Sequence, residues 1–265
     1  MGQPLSVPPG KKVRLAEFDP GYHDLNRARA EAETDKNVEA IGPLAERLYA
    51  EHTRALLLVL QGMDTSGKDG TIRNVMRGVS PQSCQVTPFR EPTHEEFDHD
   101  FLWRVHLATP RRGNIGIFNR SHYEDVLVVC VKKLVPKSVW QTRYGRINDF
   151  ERLLVESGTA IVKVFLHISK EEQRERLQAR IDDPEKRWKF RAGDLDDRKL
   201  WDDYQRAYEA ALTRCNTERA PWYIVPADHK WYRNFVVSRL VVEALEELDP
   251  QFPPPTPGIE KIVVE

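Results

Sequence analysis

The strongest constraint on this chain is one stretch, Leu56-Leu-Leu-Val-Leu-Gln-Gly62-Met-Asp-Thr-Ser-Gly67-Lys68-Asp-Gly70. The apolar run Ala55–Leu60 suits a strand buried on both faces of a parallel sheet. It ends in glycine, and a helical pattern over Ile72–Val79 follows. Gly62, Gly67 and Lys68 fit Gly-x-x-x-x-Gly-Lys between strand and helix, the setting in which that spacing carries meaning. The chemistry explains the pattern. Glycines let the backbone turn so that successive N–H groups point inward at phosphate oxygens. A helix start adds a favourable dipole end, and Lys68 brings a point charge to a phosphoryl group in transfer. The expected phosphate-binding residues here are Gly62, Thr65, Ser66, Gly67, Asp69, Gly70 and Thr71. Asp64 would repel phosphate unless a cation lies between them. It reads as a magnesium ligand, with a turn-capping aspartate as the alternative.

Strand and helix patterns alternate along the rest of the chain. Strands are predicted at Cys84–Thr87, Ile115–Asn119, Ala160–Ile168 and Trp222–Val225. Helices are predicted at Asn37–Glu51, Glu95–Leu107, Tyr123–Leu134, Val139–Glu156, Asp197–Cys215 and Trp231–Leu248. Another opens at Ser169-Lys-Glu-Glu172, a capping-box pattern. This order predicts one α/β domain with a mainly parallel sheet over residues 37–249. An irregular arm (1–36) precedes it, and a proline-rich tail (250–265) that cannot join a helix or sheet follows. Lys and Arg number 40 against 41 Asp and Glu, which excludes a generally basic nucleic-acid coat. No apolar run approaches the ~20 residues that span a bilayer. Three separated cysteines form no disulfide framework or zinc finger. A cytoplasmic protein with neither membrane nor nucleic-acid partners is expected.

A second polar motif follows the Ile115–Asn119 strand. Ligands of open α/β sheets bind at the carboxyl ends of strands, so Asn119, Arg120, Ser121, Tyr123, Glu124 and Asp125 are expected to face the phosphate loop. Arg120 would stabilise a transferring phosphoryl, and Asn119 or Glu124 would share the metal with Asp64. Ser121-His122 lacks the elbow of a serine hydrolase. After the Cys84–Thr87 strand, Phe89 would stack on a base or pack in the core, and Arg90 would meet a phosphate. The segment Lys186-Arg-Trp-Lys-Phe-Arg191 carries four positive charges in six residues. With Arg180 it reads as a lid over phosphates at about residues 180–195, the alternative being a solvated helix end. His94–Asp100 reads as an amphipathic surface helix with Phe97, Phe101 and Leu102 inward, rather than a metal site.

In order and spacing, Gly62-Met-Asp-Thr-Ser-Gly-Lys-Asp-Gly70, Phe118-Asn-Arg-Ser-His-Tyr123 and Lys186-Arg-Trp-Lys-Phe190 resemble the polyphosphate kinase 2 family, from about Asn37 to Leu248. The resemblance implies a P-loop kinase fold similar to thymidylate kinase, a three-layer α/β/α architecture with a helical lid. It implies phosphate transfer between inorganic polyphosphate and nucleotides with Mg2+ (or Mn2+), and Asp69 after the loop lysine is usual there. The family's common Asp-Arg-Ser-Trp-Tyr-Asn is Asn119-Arg-Ser-His-Tyr-Glu124 here, similar to the class III subgroup. The implied activity is conversion of AMP to ADP and ADP to ATP. Lys186, Arg187 and Lys189, with Arg180 and Arg191 beside them, would grip polyphosphate. The implied assembly is a tetramer or dimer. Two other readings stand beside it. An ATP-dependent nucleoside monophosphate kinase is opposed by Asp69. A non-catalytic nucleotide-binding module is opposed by the intact Lys68, Arg120 and basic segment.

Overall fold

The structure, a computed structural model, describes residues 5–264; Met1–Pro4 of the expected arm and Glu265 of the tail lie outside the described residues. In chain order the elements are α1 (Arg27–Glu51), β1 (Ala55–Gln61), α2 (Lys68–Val75), β2 (Cys84–Pro88), α3 (His94–Phe97), α4 (Trp103–Ala108), β3 (Ile115–Asn119), α5 (Val128–Val131), α6 (Lys137–Glu156), β4 (Thr159–His167), α7 (Lys170–Asp182), α8 (Ala192–Lys199), α9 (Trp201–Arg214), β5 (Trp222–Pro226) and α10 (Lys230–Leu248). The strands form one five-stranded sheet in the order β2-β3-β1-β4-β5, every pairing parallel. Every residue of β1, the middle strand, is buried, as its unbroken apolar run requires. On one face α10 packs across β1, β4 and β5 beside α1 and α2; α6 covers β4 on the other. The α/β class and the parallel sheet are as the alternation predicts.

Register fixes where the chemistry sits. Leu60 pairs with Asn119, so the chain leaves β1 and β3 side by side. The Arg120 N–H still donates to Leu60 O at 3.0 Å beyond the last pair. The two motifs singled out in the sequence therefore emerge from adjacent strand ends.

Several boundaries depart from the sequence expectation, each for a local reason. Helix α1 starts at Arg27 rather than Asn37. Asn26 caps it by accepting from Arg29 N at 2.9 Å, and Arg27 pairs with Glu31 at 2.9 Å. Its first two turns bury only Ala30 and Thr34, too little for apolar spacing to register. The expected Glu95–Leu107 helix is two pieces, α3 and α4. Thr93 closes a full capping box with Glu96 over α3. Asp100 then accepts from Leu102 N at 2.9 Å and restarts the chain. Phe97, expected inward, is 66% exposed in consequence. The Tyr123–Leu134 helix is likewise divided into a 3-10 turn (His122–Asp125) and α5, because Ser121 caps Tyr123 N at 3.2 Å. The predicted Asp197–Cys215 helix begins earlier and breaks at Leu200 into α8 and α9. At Ser169 half of the capping box forms: Ser169 accepts from Glu172 N, while the Glu172 carboxylate turns to Arg176 instead. The arm is held to the body by Val13 N to Thr213 and Leu15 N to Glu209, with Val13, Leu15 and Phe18 buried.

Candidate active site

The β1–α2 loop wraps tightly. Gly62 has φ +151°, and a Cβ there would lie 2.7 Å from both Leu166 O and Ser66 Oγ. Gly67 has φ +103°, and a Cβ there would lie 1.8 Å from Arg233 Nη1. Thr65 takes a left-handed φ of 64°, uncommon for a residue with a branched Cβ. Thr65 Oγ1 and Ser66 Oγ are buried without a hydrogen-bond partner among the described residues. Buried hydroxyls without partners are rare, and phosphate oxygens are the partners such a loop is built to accept. Lys68 is buried, and its Nζ donates to Gly62 O at 2.7 Å and Met63 O at 3.2 Å. Burial, with repulsion from Arg120, brings its pKa down to about 8 against the pull of Asp64, Glu124 and Asp69. Thr71 caps back onto Gly67 O at 3.1 Å; Asp69 is exposed and Gly70 half-buried at the helix start.

Arg120 also holds a left-handed φ, 60°, a conformation that its surroundings must enforce. It aims the guanidinium at two carboxylates: Asp64 at 2.5 Å and Glu124 at 3.7 Å. Burial alone would raise the Asp64 carboxyl, but Arg120, with Lys68, Arg180 and Lys132 behind it, holds it below its ordinary value. Asn119 donates its amide to Asp69 at 2.6 Å. The four groups most strongly expected of the site, Asp64, Lys68, Arg120 and Glu124, are thus together, with Asn119 at the rim. The donor chemistry fits a small hard cation: the Asp64 and Glu124 carboxylates both lie against the Arg120 guanidinium, and Asn119 is bonded to Asp69. Mg2+ is bound in this way, through one or two carboxylates and the substrate's own phosphates. Asp64 and Glu124 would hold it, and it would supply charge neutralisation at the transferring phosphoryl.

Other expected residues are placed elsewhere. Tyr123 does not face the loop. It is fully buried, and its hydroxyl donates to Glu151 at 2.7 Å and accepts from Lys163 at 2.9 Å. The turn that follows Arg120 sends it down into the core. Ser121 is buried too, 3.0 Å from the Gln61 amide. Asp125 pairs with Arg143 at 2.8 Å, away from Arg120; burial pushes its pKa up to about 6 although Arg143 opposes this. Phe89 is 5% exposed, edge-on to Phe118 at 4.8 Å, with Arg104 over its ring. Of its two readings, core packing is the one the structure adopts. Arg90 is exposed beside it. In the lid, Arg180 pairs with Asp194 at 3.6 Å and Lys186 with Asp183 at 2.5 Å. Arg187, exposed, and Lys189, half-buried, lie on a 3-10 turn, and Arg191 precedes α8.

Two arginines went unread in the sequence. Arg176 of α7 reaches Thr65 O (3.0 Å) and Ser66 O (3.2 Å) with one nitrogen and Ala227 O and Asp228 O with another. Arg233 of α10 donates to Ser66 O at 3.2 Å. Gln173 adds a bond to Asp64 O at 3.2 Å. These donors hold the carbonyls of Asp64, Thr65 and Ser66 from outside the loop. One signal was available: Arg233 stands at helical spacing from Val236, Val237 and Leu240, a charge on a buried stripe. Gly67→Ala is expected to displace Arg233 and to strain the backbone by at least about 1–2 kcal/mol. Thermal unfolding of the variant should fall by several degrees, with phosphate binding lost; an unchanged melting curve would contradict the contact.

A lysine-bearing glycine loop after the central strand, facing an arginine and carboxylates after its neighbour, defines a P-loop phosphotransferase. The chain belongs to the Polyphosphate kinase 2 family, whose model matches residues 24–253. The AMP/ADP-polyphosphate phosphotransferase of Meiothermus ruber is 54% identical over 263 residues, covering 98% of each chain. The ADP-polyphosphate phosphotransferase of Rhodopseudomonas palustris is 44% identical, covering 97% of this chain and 93% of its own. The crystal structure of polyphosphate kinase 2 from Arthrobacter aurescens superposes with a TM-score of 0.93 at 42% identity, over 97% of this chain and 93% of that one.

Proposed function

We propose that this chain transfers phosphoryl groups from inorganic polyphosphate to AMP and to ADP, reversibly, with Mg2+ or Mn2+. The observation that carries the reading is Arg120 held against the Asp64 and Glu124 carboxylates beside a phosphate loop whose buried Lys68 is bonded to the Gly62 and Met63 carbonyls. Polyphosphate-dependent activity in the 54% identical relative supports the donor and acceptors. In this reading the loop N–H groups bind terminal phosphates of the donor. Lys68 and Arg120 neutralise the phosphoryl in flight, and the acceptor phosphate attacks in line without a covalent enzyme intermediate, positioning and charge doing most of the work. Arg180, Lys186, Arg187, Lys189 and Arg191 would engage the donor chain. A cytoplasmic location and self-association as a tetramer or dimer complete the reading; among the described residues no helix is long and apolar enough to cross a membrane.

The test is chromatography of nucleotides after the protein is mixed with Mg2+ and AMP, and with either polyphosphate or ATP. ADP followed by ATP is expected with polyphosphate. Conversion of AMP with ATP as the only effective donor would replace this reading by an ordinary nucleoside monophosphate kinase.

A further inference from the structure

Gln173, in the first turn of α7, is fully buried, and both ends of its amide are used. Its Nε2 donates to Asp64 O at 3.2 Å, and its Oε1 accepts from Arg198 Nη1 at 3.0 Å. One partner can only accept and the other can only donate, so the amide has a single orientation. It bridges the phosphate loop at one end and α8 at the other. Three successive loop carbonyls are held from α7. Arg176 holds those of Thr65 and Ser66, and its other bonds go to Glu172 and to the Ala227 and Asp228 carbonyls after β5. The Asp64 carbonyl is held instead by a side chain whose other bond leads to α8. That helix directly follows the basic segment, and three side-chain contacts seat it. Asp194 pairs with Arg180 at 3.6 Å, Asp197 pairs with Lys132 at 2.8 Å, and Arg198 Nη1 donates to Lys170 O at 2.6 Å as well as to Gln173. Arg180 and Lys132 are also two of the cations whose fields reach the Asp64 carboxyl. The seat of α8 therefore bears on Asp64 through its main chain and through charges they share. A buried amide bonded at both ends transmits a displacement, because a shift at either end strands a buried polar atom.

We propose that Gln173 is a positioning residue for phosphoryl transfer, tying the seat of α8 to the main chain of Asp64 so that the Asp64 carboxylate is set against Arg120 when α8 is docked. The inference rests on Asp64 and Arg120 acting at the transferring phosphoryl, and not on which donor supplies it. Its consequence is that a change at Arg198, which bonds to α7 and not to the loop, reaches the reaction through Gln173.

The test is steady-state kinetics and thermal unfolding of the full chain and of Gln173→Met, Gln173→Glu, Arg198→Met and the double variant Gln173→Met/Arg198→Met. Rates are measured well below each melting temperature, with whichever donor the wild type uses. Gln173→Met removes both bonds at similar volume. Gln173→Glu keeps an acceptor for Arg198 and turns an oxygen towards Asp64 O. Both are expected to lower kcat about tenfold with KM for nucleotide and donor little changed. Arg198→Met should lower kcat by about three- to tenfold, and the double variant should lose no more than Gln173→Met alone, because the second change acts through the first. Gln173→Glu should melt closer to the wild type than Gln173→Met does while losing as much kcat, a split that a merely structural role would not produce. Wild-type kcat in folded Gln173→Glu would overturn the proposal. A raised KM with unchanged kcat would overturn it too, by placing Gln173 in substrate binding, as would losses that multiply in the double variant, by making the two residues independent. Turnover with ATP alone would remove the polyphosphate reading and leave this test in force; a folded wild type inactive with either donor would overturn both.

Discussion

Lys68→Met is expected to lower turnover by at least about a hundred- to a thousandfold, the range seen when one preorganised charge-stabilising donor is removed. The substitution keeps most of the side-chain volume, so the α2 start should stay packed. It leaves Gly62 O and Met63 O without the ammonium that binds them, a loss of about 1–3 kcal/mol for buried acceptors. That is partly offset, because a desolvated charge is also removed. Fold should survive while chemistry does not, and circular dichroism beside the nucleotide assay separates the two. Wild-type turnover in the variant would remove the loop from the reaction. The lysine also sets a pH dependence. Its pKa in the free protein is down at about 8 against an ordinary 10.5. Deprotonation above 8 removes the charge that meets the phosphoryl, so kcat/KM should fall as pH rises through about 8. Bound phosphates favour the ammonium, so the alkaline limb of kcat should lie higher. The effect on stability has the opposite sign. Between about 8 and 10.5 the unfolded chain holds a proton that the folded chain has released, so this group makes folding more favourable with rising pH.

The parts of this site legible in the sequence are those whose chemistry is local. The glycine loop carries its strand, turn, lysine and helix in one stretch, and the Arg120 motif follows directly on a second strand, so register alone brings them together. What remained hidden depends on distant residues or on turns. Arg176 and Arg233 lie over a hundred residues from the loop carbonyls they hold, and an arginine in a polar helix such as α7 reads as solvated. Tyr123 and Asp125 sit within five residues of Arg120, yet the left-handed φ at Arg120 and the Ser121 cap turn them away from it. The α3–α4 pair looks continuous in the sequence because the Asp100 cap interrupts a pattern whose apolar spacing continues. A second informative anomaly, beside Arg233 on its buried stripe, is Lys163, a single Lys inside the apolar run of β4.

Lys163→Met is expected to destabilise the protein by about 3–5 kcal/mol, the usual result of leaving one partner of a buried ion pair unpaired. Lys163 is fully buried, and its Nζ donates to Glu151 at 2.6 Å, to Cys215 O at 2.6 Å and to Tyr123 Oη at 2.9 Å. Glu151 also accepts from Tyr123 and lies 3.3 Å from His122 Nε2. Burial would raise the Glu151 carboxyl, but Lys163 and His122 hold it below its ordinary 4.5. Its contribution to stability is therefore present above pH 4.5 and lost as pH falls through the lower folded value. Without Lys163 the carboxylate keeps only the tyrosine and a neutral imidazole. For a chain of this size the melting temperature should fall by roughly 10 °C or more. The double variant Lys163→Met/Glu151→Leu removes both charges, and buried pairs replaced by apolar groups of similar volume are often neutral in stability. Most of the melting temperature should return. Turnover should return less completely, because Tyr123 and His122 lose the acceptor that anchors them, and they lie within three residues of Arg120, whose left-handed backbone needs enforcement. A single variant that melts within a degree or two of wild type would show that the pair holds nothing. A double variant with full activity would show that it serves stability alone, and that the Arg120 turn is held by Ser121 and Gln61.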